Sequence, residues 1–271
     1  AVERDGEAGV FRSPAQRTSV CKELSPPHAT AMSETMHTPL PNPARPPVLP
    51  RSGMPSARSP GVLRIVQVET FYQPYLDRFY AMRPELAMAP HGEQISMLLA
   101  DGFSALHNIV PYLEPLGYDA HFIVANAAAA QLAWVRENGP VFPDPARVGF
   151  ADVLRAQVDA LDPDILYFTD AISFGADFIR SLKRRPRLVI GWHAAPIPAG
   201  TDWSGLDLFV SGLSAMRAMA LRLGARAAEL YMPGFPEWLP AAGGPADRTE
   251  DVVFTGSHTP VQHADRNRLL E

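Results

Sequence analysis

Short apolar runs alternate with stretches of helical spacing along most of the chain beyond residue 60. The apolar runs predict six strands, at 63–69, 121–125, 164–168, 187–192, 207–211 and 227–231. Apolar positions at helical spacing predict helical segments at 70–101, 104–116, 127–137, 150–161, 174–182 and 213–223. This alternation is typical of βαβ units. The sequence therefore predicts an α/β fold over residues 61–236, a Rossmann-like parallel sheet with helices on both faces.

Proline is spread unevenly and changes this picture at the N-terminal end. Eleven of the 28 prolines fall within residues 1–60, where Phe11 is the only aromatic residue. Such a stretch buries too little apolar surface to offset its chain entropy, so we expect 1–60 to be a disordered leader.

The C-terminal end predicts the beginning of a second domain. Residues 237–250 are rich in Pro, Ala and Gly and read as a linker. Residues 251–255 predict a strand that leads into Gly256 and Ser257, and residues 263–271 resemble a helix cut off in progress. We therefore interpret 251–271 as the first βα unit of a truncated domain, and the chain as a fragment of a longer protein.

Composition and charge exclude several classes of protein. Hydrophobic residues make up 46% and charged residues 20%, as in ordinary globular chains. No segment approaches the roughly 18 apolar residues of a membrane span, and no signal peptide is recognisable, so we expect a cytoplasmic protein without a transmembrane segment. A net charge of −5 argues against nucleic acid as a partner. Cys21 is the only cysteine, which excludes a disulfide framework or a thiolate metal site.

Ligands of open parallel sheets bind at the carboxyl ends of the strands, and the loops there hold the first candidates for chemistry. Trp192 and His193 end a predicted strand, ahead of a loop stiffened by Pro196 and Pro198. His193 is suited to bind a ligand or transfer a proton, and the alternative is a capping or packing histidine. Ser211 ends the next predicted strand and is a further candidate for ligand binding.

Two further candidates have an equally simple structural alternative. Asp170 directly follows a strand and can act as a general base, or it can cap the helix expected near Phe174. Phe103 can stack against a sugar ring, or it can belong to the core. Its neighbours are expected to have structural roles, Gly102 in a tight turn and Ser104 as the N-cap of the next helix.

Gly256 and Ser257 predict a phosphate-binding turn. A strand, a turn of small residues and a helix point backbone N–H groups at an anion, although an ordinary βα turn has the same pattern. The glycine fingerprint of dinucleotide binding, the P-loop and the nucleophile elbow are absent from the sequence. His258 and His263 are five residues apart, which is not the spacing of a helical zinc pair.

Taken together, these segments resemble the GT-B glycosyltransferases, and most closely the bacterial group similar to the spore-maturation protein CgeB. The resemblance rests on the opening of the second domain, Val252 to Ser257, and on its helix ending in Leu269-Leu270-Glu271. It also rests on Thr70 to Tyr80 and on Asp101 to Ser104, and it covers about residues 63–271.

The resemblance implies two facing domains with a nucleoside-diphosphate sugar in the cleft between them. It implies transfer of that sugar, of hexosyltransferase type, to a glycan, small-molecule or protein acceptor, with no metal or other cofactor. Gly256 and Ser257 would contact the donor phosphates, while Phe103, Trp192 and Ser211 would contact the acceptor. Asp170 or His193 would serve as the base of an inverting reaction, whereas a retaining reaction needs none.

Two other functions remain open at this point. A non-catalytic glycan- or coat-associated module can have the same fold, because fold does not determine chemistry. A dehydrogenase is disfavoured by the missing glycine fingerprint.

Overall fold

The computed structural model describes residues 61–140, 142, 147–232 and 268. The predicted leader 1–60, the linker 237–250 and, apart from Arg268, the truncated domain 251–271 lie outside the described residues, and they stay predictions.

The described chain forms six parallel strands that belong to one sheet. The strands are β1 (Arg64–Glu69), β2 (Asp119–Val124), β3 (Ile165–Phe168), β4 (Leu188–Trp192), β5 (Leu208–Ser211) and β6 (Ala228–Leu230). Their order across the sheet is β2-β1-β3-β4-β5-β6. The helices are α1 (Gln73–Ala81), α2 (His91–Asp101), α3 (Ala128–Asn138), α4 (Phe150–Leu161), α5 (Ala176–Ser181) and α6 (Ser214–Arg222). This arrangement confirms the predicted α/β, Rossmann-like fold.

Two clusters of buried apolar side chains cover the two faces of the sheet. Successive residues of a strand point to opposite faces, so Phe122 and Val124 of β2 face one way and Ile123 faces the other. Phe122 and Val124 pack with apolar residues of α1, α2 and α3, whereas Ile123 packs with those of α4 and α5. The face under α1, α2 and α3 is called the front face below.

The predicted elements match the observed ones closely where the apolar pattern is regular. All six predicted strands are present, with ends within two residues of those expected. The segment 70–101 divides into α1, a 3₁₀ turn at Pro84–Met88, and α2. Gly102 ends α2 with φ of 77°, a left-handed conformation that favours glycine, as the predicted tight turn requires.

The predicted helix over 104–116 is wrong. The chain instead makes three 3₁₀ turns, at Ala105–His107, Val110–Tyr112 and Glu114–Leu116. Pro111 and Pro115 lack the N–H groups that a continuous α-helix needs there, and each proline ring clashes with the carbonyl four residues earlier. Ser104, predicted as the N-cap, has φ of 60° and makes no side-chain capping bond. These turns carry the segment across the front face, where they contribute to the candidate site.

Candidate functional site

The order of the strands creates one topological switch point. From β1 the chain passes to β2 on one side and then returns to β3 on the other side of β1. The connections therefore leave the carboxyl ends of β1 and β3 in opposite directions, and a crevice opens between them. Ligands of doubly wound sheets bind in such crevices.

Polar and aromatic side chains gather on the front face beside this switch point. Gln67 and Glu69 of β1 are in register with Phe122 and Val124 of β2, which marks them as front-face residues. Tyr167 of β3 pairs with Gln67, and Ile190 of β4 pairs with Tyr167. Trp192, two residues after Ile190, therefore lies on the same face. We call the following residues the switch-point cluster: Gln67, Glu69, His107, Asn108, Tyr167 and Trp192.

Gln67 holds the cluster together through all of its amide hydrogen-bonding groups. Its Nε2 donates to Glu69 Oε1 and to the carbonyl oxygen of His107, both at 2.8 Å. Its Oε1 accepts from the backbone N–H groups of Ile109 at 3.0 Å and Val110 at 3.3 Å. This fully buried amide thus joins the end of β1 to the 3₁₀ segment that follows α2.

Glu69, the last residue of β1, is a carboxyl group in an apolar setting. It is 2% exposed. Burial, the largest cause, and the nearby charge of Asp170 raise its pKa, hydrogen bonds from Thr169 and Gln67 lower it, and the net result is a pKa of about 7. A carboxyl group with such a pKa exchanges a proton near neutral pH, which is the property of a general acid or base.

Two aromatic rings meet next to this carboxyl group. The imidazole of His107 and the indole of Trp192 have their centroids 4.3 Å apart, at an angle of 46°. Burial lowers the pKa of His107, so its ring is neutral at neutral pH. Burial, and next the charge of Glu69, raise the pKa of the Tyr167 phenol, which therefore also stays neutral.

Several buried polar atoms of the switch-point cluster have no hydrogen-bond partner within the protein. These atoms are His107 Nδ1, Asn108 Oδ1, Tyr167 OH and Trp192 Nε1. Native proteins satisfy most buried polar groups, so four such atoms in one cluster indicate a place where a ligand can supply hydrogen bonds.

Asp170, a predicted catalytic residue, lies at the edge of the cluster with its side chain engaged in a turn. Its Oδ1 accepts from the backbone N–H groups of Ile172 at 3.2 Å and Ser173 at 2.9 Å. The helix α5 begins later, with Gly175 as its N-cap. Asp170 therefore caps the turn ahead of α5 rather than the helix itself, and its charge acts on Glu69.

His193, the second predicted catalytic residue, follows Trp192 at the end of β4. Its Nε2 lies 3.5 Å from the carbonyl oxygen of Pro196, and its ring meets the edge of Trp203 at a centroid distance of 6.1 Å. A side chain one residue along an extended strand points to the opposite side from Trp192. The structure thus brings Trp192, but not His193, into the switch-point cluster.

Phe103 belongs to an aromatic group above the front face. Its ring stacks on Tyr75 with centroids 3.8 Å apart and meets the edge of Phe71 at 5.2 Å. Because Tyr75 covers one face of the ring, this geometry favours the core alternative. Its role in acceptor binding stays a prediction.

Ser211, at the end of β5, is fully buried, and its hydroxyl accepts from the backbone N–H of Leu213 at 3.2 Å. This contact closes the turn into α6. Gly256 and Ser257, the predicted phosphate contacts, lie outside the described residues.

Sequence reasoning did not single out Gln67, His107 or Tyr167, and it placed Glu69 only as the last residue of a predicted strand. One signal was present. Gln67 and Glu69 are polar residues two apart in a buried strand whose other residues, apart from Arg64, are apolar. That spacing puts both side chains on one face. His107 and Asn108 carried no such signal, because the segment around them was expected to be helical.

Metal ligands and membrane spans were searched for in the same part of the chain. Across the described residues, no three His, Cys, Asp or Glu side chains are grouped so that they can hold a metal ion. None of the described helices is both long and apolar enough to cross a membrane.

Comparison with known proteins adds no relative. Models of protein families, curated proteins and solved structures were each searched, and none of them matches the chain.

Proposed function

We propose that this chain contains the acceptor-side domain of a glycosyltransferase that uses a nucleoside-diphosphate sugar, and that the switch-point cluster binds the acceptor. The observation that carries the proposal is the buried Glu69 carboxyl at the end of β1, with its pKa near 7. A hydroxyl acceptor needs a group that takes up its proton, and such a group works best when its pKa is close to the working pH.

In the proposed reaction, Glu69 is the base of an inverting transfer. The Glu69 carboxylate takes the acceptor proton while the acceptor oxygen forms a bond to the anomeric carbon of the donor sugar. The bond from that carbon to the diphosphate breaks, and its electron pair leaves with the nucleoside diphosphate. Gln67 fixes the carboxylate by donating to Oε1.

Asp170 and Trp192, which the sequence predicted as site residues, have supporting roles in this proposal. Asp170 raises the pKa of Glu69 through its charge, and Trp192 offers an indole face to the acceptor. Donor contacts are assigned to Gly256 and Ser257 on the strength of the GT-B resemblance, and metal-independent chemistry and a cytoplasmic location are proposed on sequence grounds alone.

Release of nucleoside diphosphate from a panel of nucleotide sugars tests the proposal. We expect the full-length gene product to turn over one of these donors and to transfer its sugar with inversion, which NMR of the product's anomeric proton detects. Glu69→Gln is expected to lower kcat by at least about 100-fold, the usual contribution of a general base. No turnover of any donor, or full activity of Glu69→Gln, would contradict it.

The alternative is a non-catalytic glycan- or coat-associated module on the same fold. One observation favours it, because the Ser211 hydroxyl and the Asp170 carboxylate are already engaged by backbone N–H groups. This alternative predicts that the protein releases no diphosphate and that it binds a glycan with the same affinity after Glu69→Gln.

A further inference from the structure

Two buried side chains of the switch-point cluster indicate what kind of ligand the cluster binds. Tyr167 is 3% exposed and Asn108 is 6% exposed, yet Tyr167 OH and Asn108 Oδ1 have no partner within the protein. Tyr167 pairs in register with Gln67 on the front face, and Asn108 lies between His107 and Ile109, whose backbone groups bind Gln67. The unpartnered groups therefore lie around Gln67 near the carboxyl ends of β1 and β3, beside the Glu69 carboxyl that accepts from the same amide.

The hydrogen-bonding character of this place is mixed. Asn108 Oδ1 is an acceptor, Trp192 Nε1 is a donor, and the Tyr167 hydroxyl can act as either. A ligand hydroxyl likewise donates and accepts, so a ligand with several hydroxyls complements this set.

Among the described residues, the charges around the same place disfavour an anion. Neither lysine nor arginine occurs in the segments that follow the strands on the described chain, which are 70–72, 125–127, 169–175, 193–202, 212–213 and 231–232. The segment 102–112 contains none either. Glu69 and Asp170 are the carboxyl groups nearest to the cluster. The helix α4, which Arg147 precedes, packs on the opposite face of the sheet.

Basic residues lie instead at the amino ends of the strands. Arg64 at the start of β1 binds Asp119 at 2.6 Å, and Arg185 and Arg226 bind Asp207 at 2.9 and 3.0 Å. These cations lie at the amino ends of the strands, whereas the switch point lies at the carboxyl ends. They are therefore too far away to bind an anionic group there.

From these observations we propose that the switch-point cluster selects an uncharged, hydroxyl-rich ring, such as an unmodified sugar, and rejects its phosphorylated and carboxylated forms. The proposal rests on the proposed function and names the class of acceptor. An anion there would meet two carboxyl groups with no compensating cation among the described residues, and it would hold Glu69 in the protonated form that cannot act as a base.

Binding of matched sugars to the full chain tests this selection. The probes are the methyl glycosides of glucose, galactose, mannose and N-acetylglucosamine, each compared with its own 6-phosphate, and glucuronate compared with glucose. Calorimetric titration at pH 7.5 measures each Kd. We expect at least one neutral glycoside to bind, and its 6-phosphate to bind at least tenfold more weakly.

Tyr167→Phe locates the binding in the cluster. It removes only a hydroxyl that has no partner, so we expect Tm to stay the same or rise while Kd for the neutral glycoside weakens about fivefold. Tyr80→Phe is the matched control. Tyr80 OH donates to Gln94 Oε1 at 2.9 Å, away from the cluster, so this variant should lose stability and bind the glycoside normally.

Three results would overturn the inference: a phosphorylated or carboxylated sugar that binds as tightly as its neutral partner, no binding of any neutral glycoside, or binding unaffected by Tyr167→Phe. The first result leaves the proposed function standing, because it changes only the class of acceptor. Donor turnover that is lost in Glu69→Gln is measured separately, so a failure of acceptor selection is distinguishable from a failure of the transferase proposal.

Discussion

At the scale of single residues, Glu69 and Asp164 are the two buried carboxyl groups of the described chain, and Glu69 is the one at the switch point. Most other carboxyl groups are exposed or paired with arginine, whereas Glu69 is 2% exposed and its Oε1 accepts from the neutral amide of Gln67. Its ionised form loses hydration without gaining a cation, so the folded protein prefers the protonated form.

This preference makes the free energy of unfolding depend on pH. Burial raises the pKa of Glu69 from its ordinary value of 4.5 to about 7 in the folded protein, so between these pH values the folded state binds more protons than the unfolded state. Stability therefore falls as pH rises through this window and levels off above pH 7. At about 1.4 kcal/mol per pKa unit, we expect Glu69→Gln to be more stable than the parent by about 3 kcal/mol at pH 8 and by less than about 1 kcal/mol at pH 5, in urea unfolding.

The matched control is Glu93→Gln in α2. Glu93 is exposed, so its replacement should leave the pH dependence unchanged. His91 is buried and has its pKa lowered to about 4, but it is present in parent and variants alike and cancels in the comparison. Equal pH dependence in the parent and in Glu69→Gln would show that the carboxyl group is ionised and solvated in the folded state.

Gln67 gives a second prediction at this scale. Gln67→Leu keeps a similar volume but leaves the N–H groups of Ile109 and Val110 and the carbonyl of His107 without their partner. We expect a loss of about 3 kcal/mol in the free energy of unfolding, measured by urea titration. Gln73→Leu removes an exposed hydrogen bond to Asp77 and should cost less than about 0.5 kcal/mol. Similar losses in both variants would contradict the role of Gln67.

At the scale of elements, regular apolar patterns were enough to predict the strands and most helices. Strands of a parallel sheet are buried on both faces and appear as continuous apolar runs, so β1 to β6 could be recognised from the sequence. The segment 104–116 has apolar residues at helical spacing as well, but Pro111 and Pro115 override that spacing. A site built partly from this segment could not be predicted, because its backbone path depends on contacts such as those of Gln67.

The packing of β4 against its neighbours is tight enough to test by adding one methyl group. A Cβ at Gly191 would lie 2.6 Å from Leu206 Cδ1 and 3.1 Å from Ala171 Cβ, and Leu206 is itself fully buried. We expect Gly191→Ala to destabilise the domain by about 1–3 kcal/mol in thermal or urea unfolding.

Gly149→Ala is the control for this substitution. A Cβ at Gly149 would meet nothing nearer than Asp152 Oδ2 at 3.8 Å. Its effect should stay below about 0.5 kcal/mol. A Gly191→Ala variant as stable as Gly149→Ala would mean that the β4 side of the sheet repacks freely.

At the scale of the whole molecule, the amino ends and the carboxyl ends of the strands differ in their chemistry. The amino ends carry Arg64, Arg185 and Arg226 in ion pairs, and the carboxyl ends at the switch point carry Glu69 with neutral polar groups. The strand order that creates the switch point follows from pairing between distant segments. The sequence predicted a parallel sheet and ligand contacts at strand ends, but which ends lie side by side required the observed order.

The central claim is that Glu69 acts as the base at the switch point, and the pH dependence of kcat/KM for sugar transfer by the full-length gene product tests it most directly. We expect the rate to rise with pH through an apparent pKa near 7, the value that burial gives Glu69, and to lose this rise in Glu69→Gln while Glu93→Gln keeps it. An unchanged profile in Glu69→Gln would contradict the account.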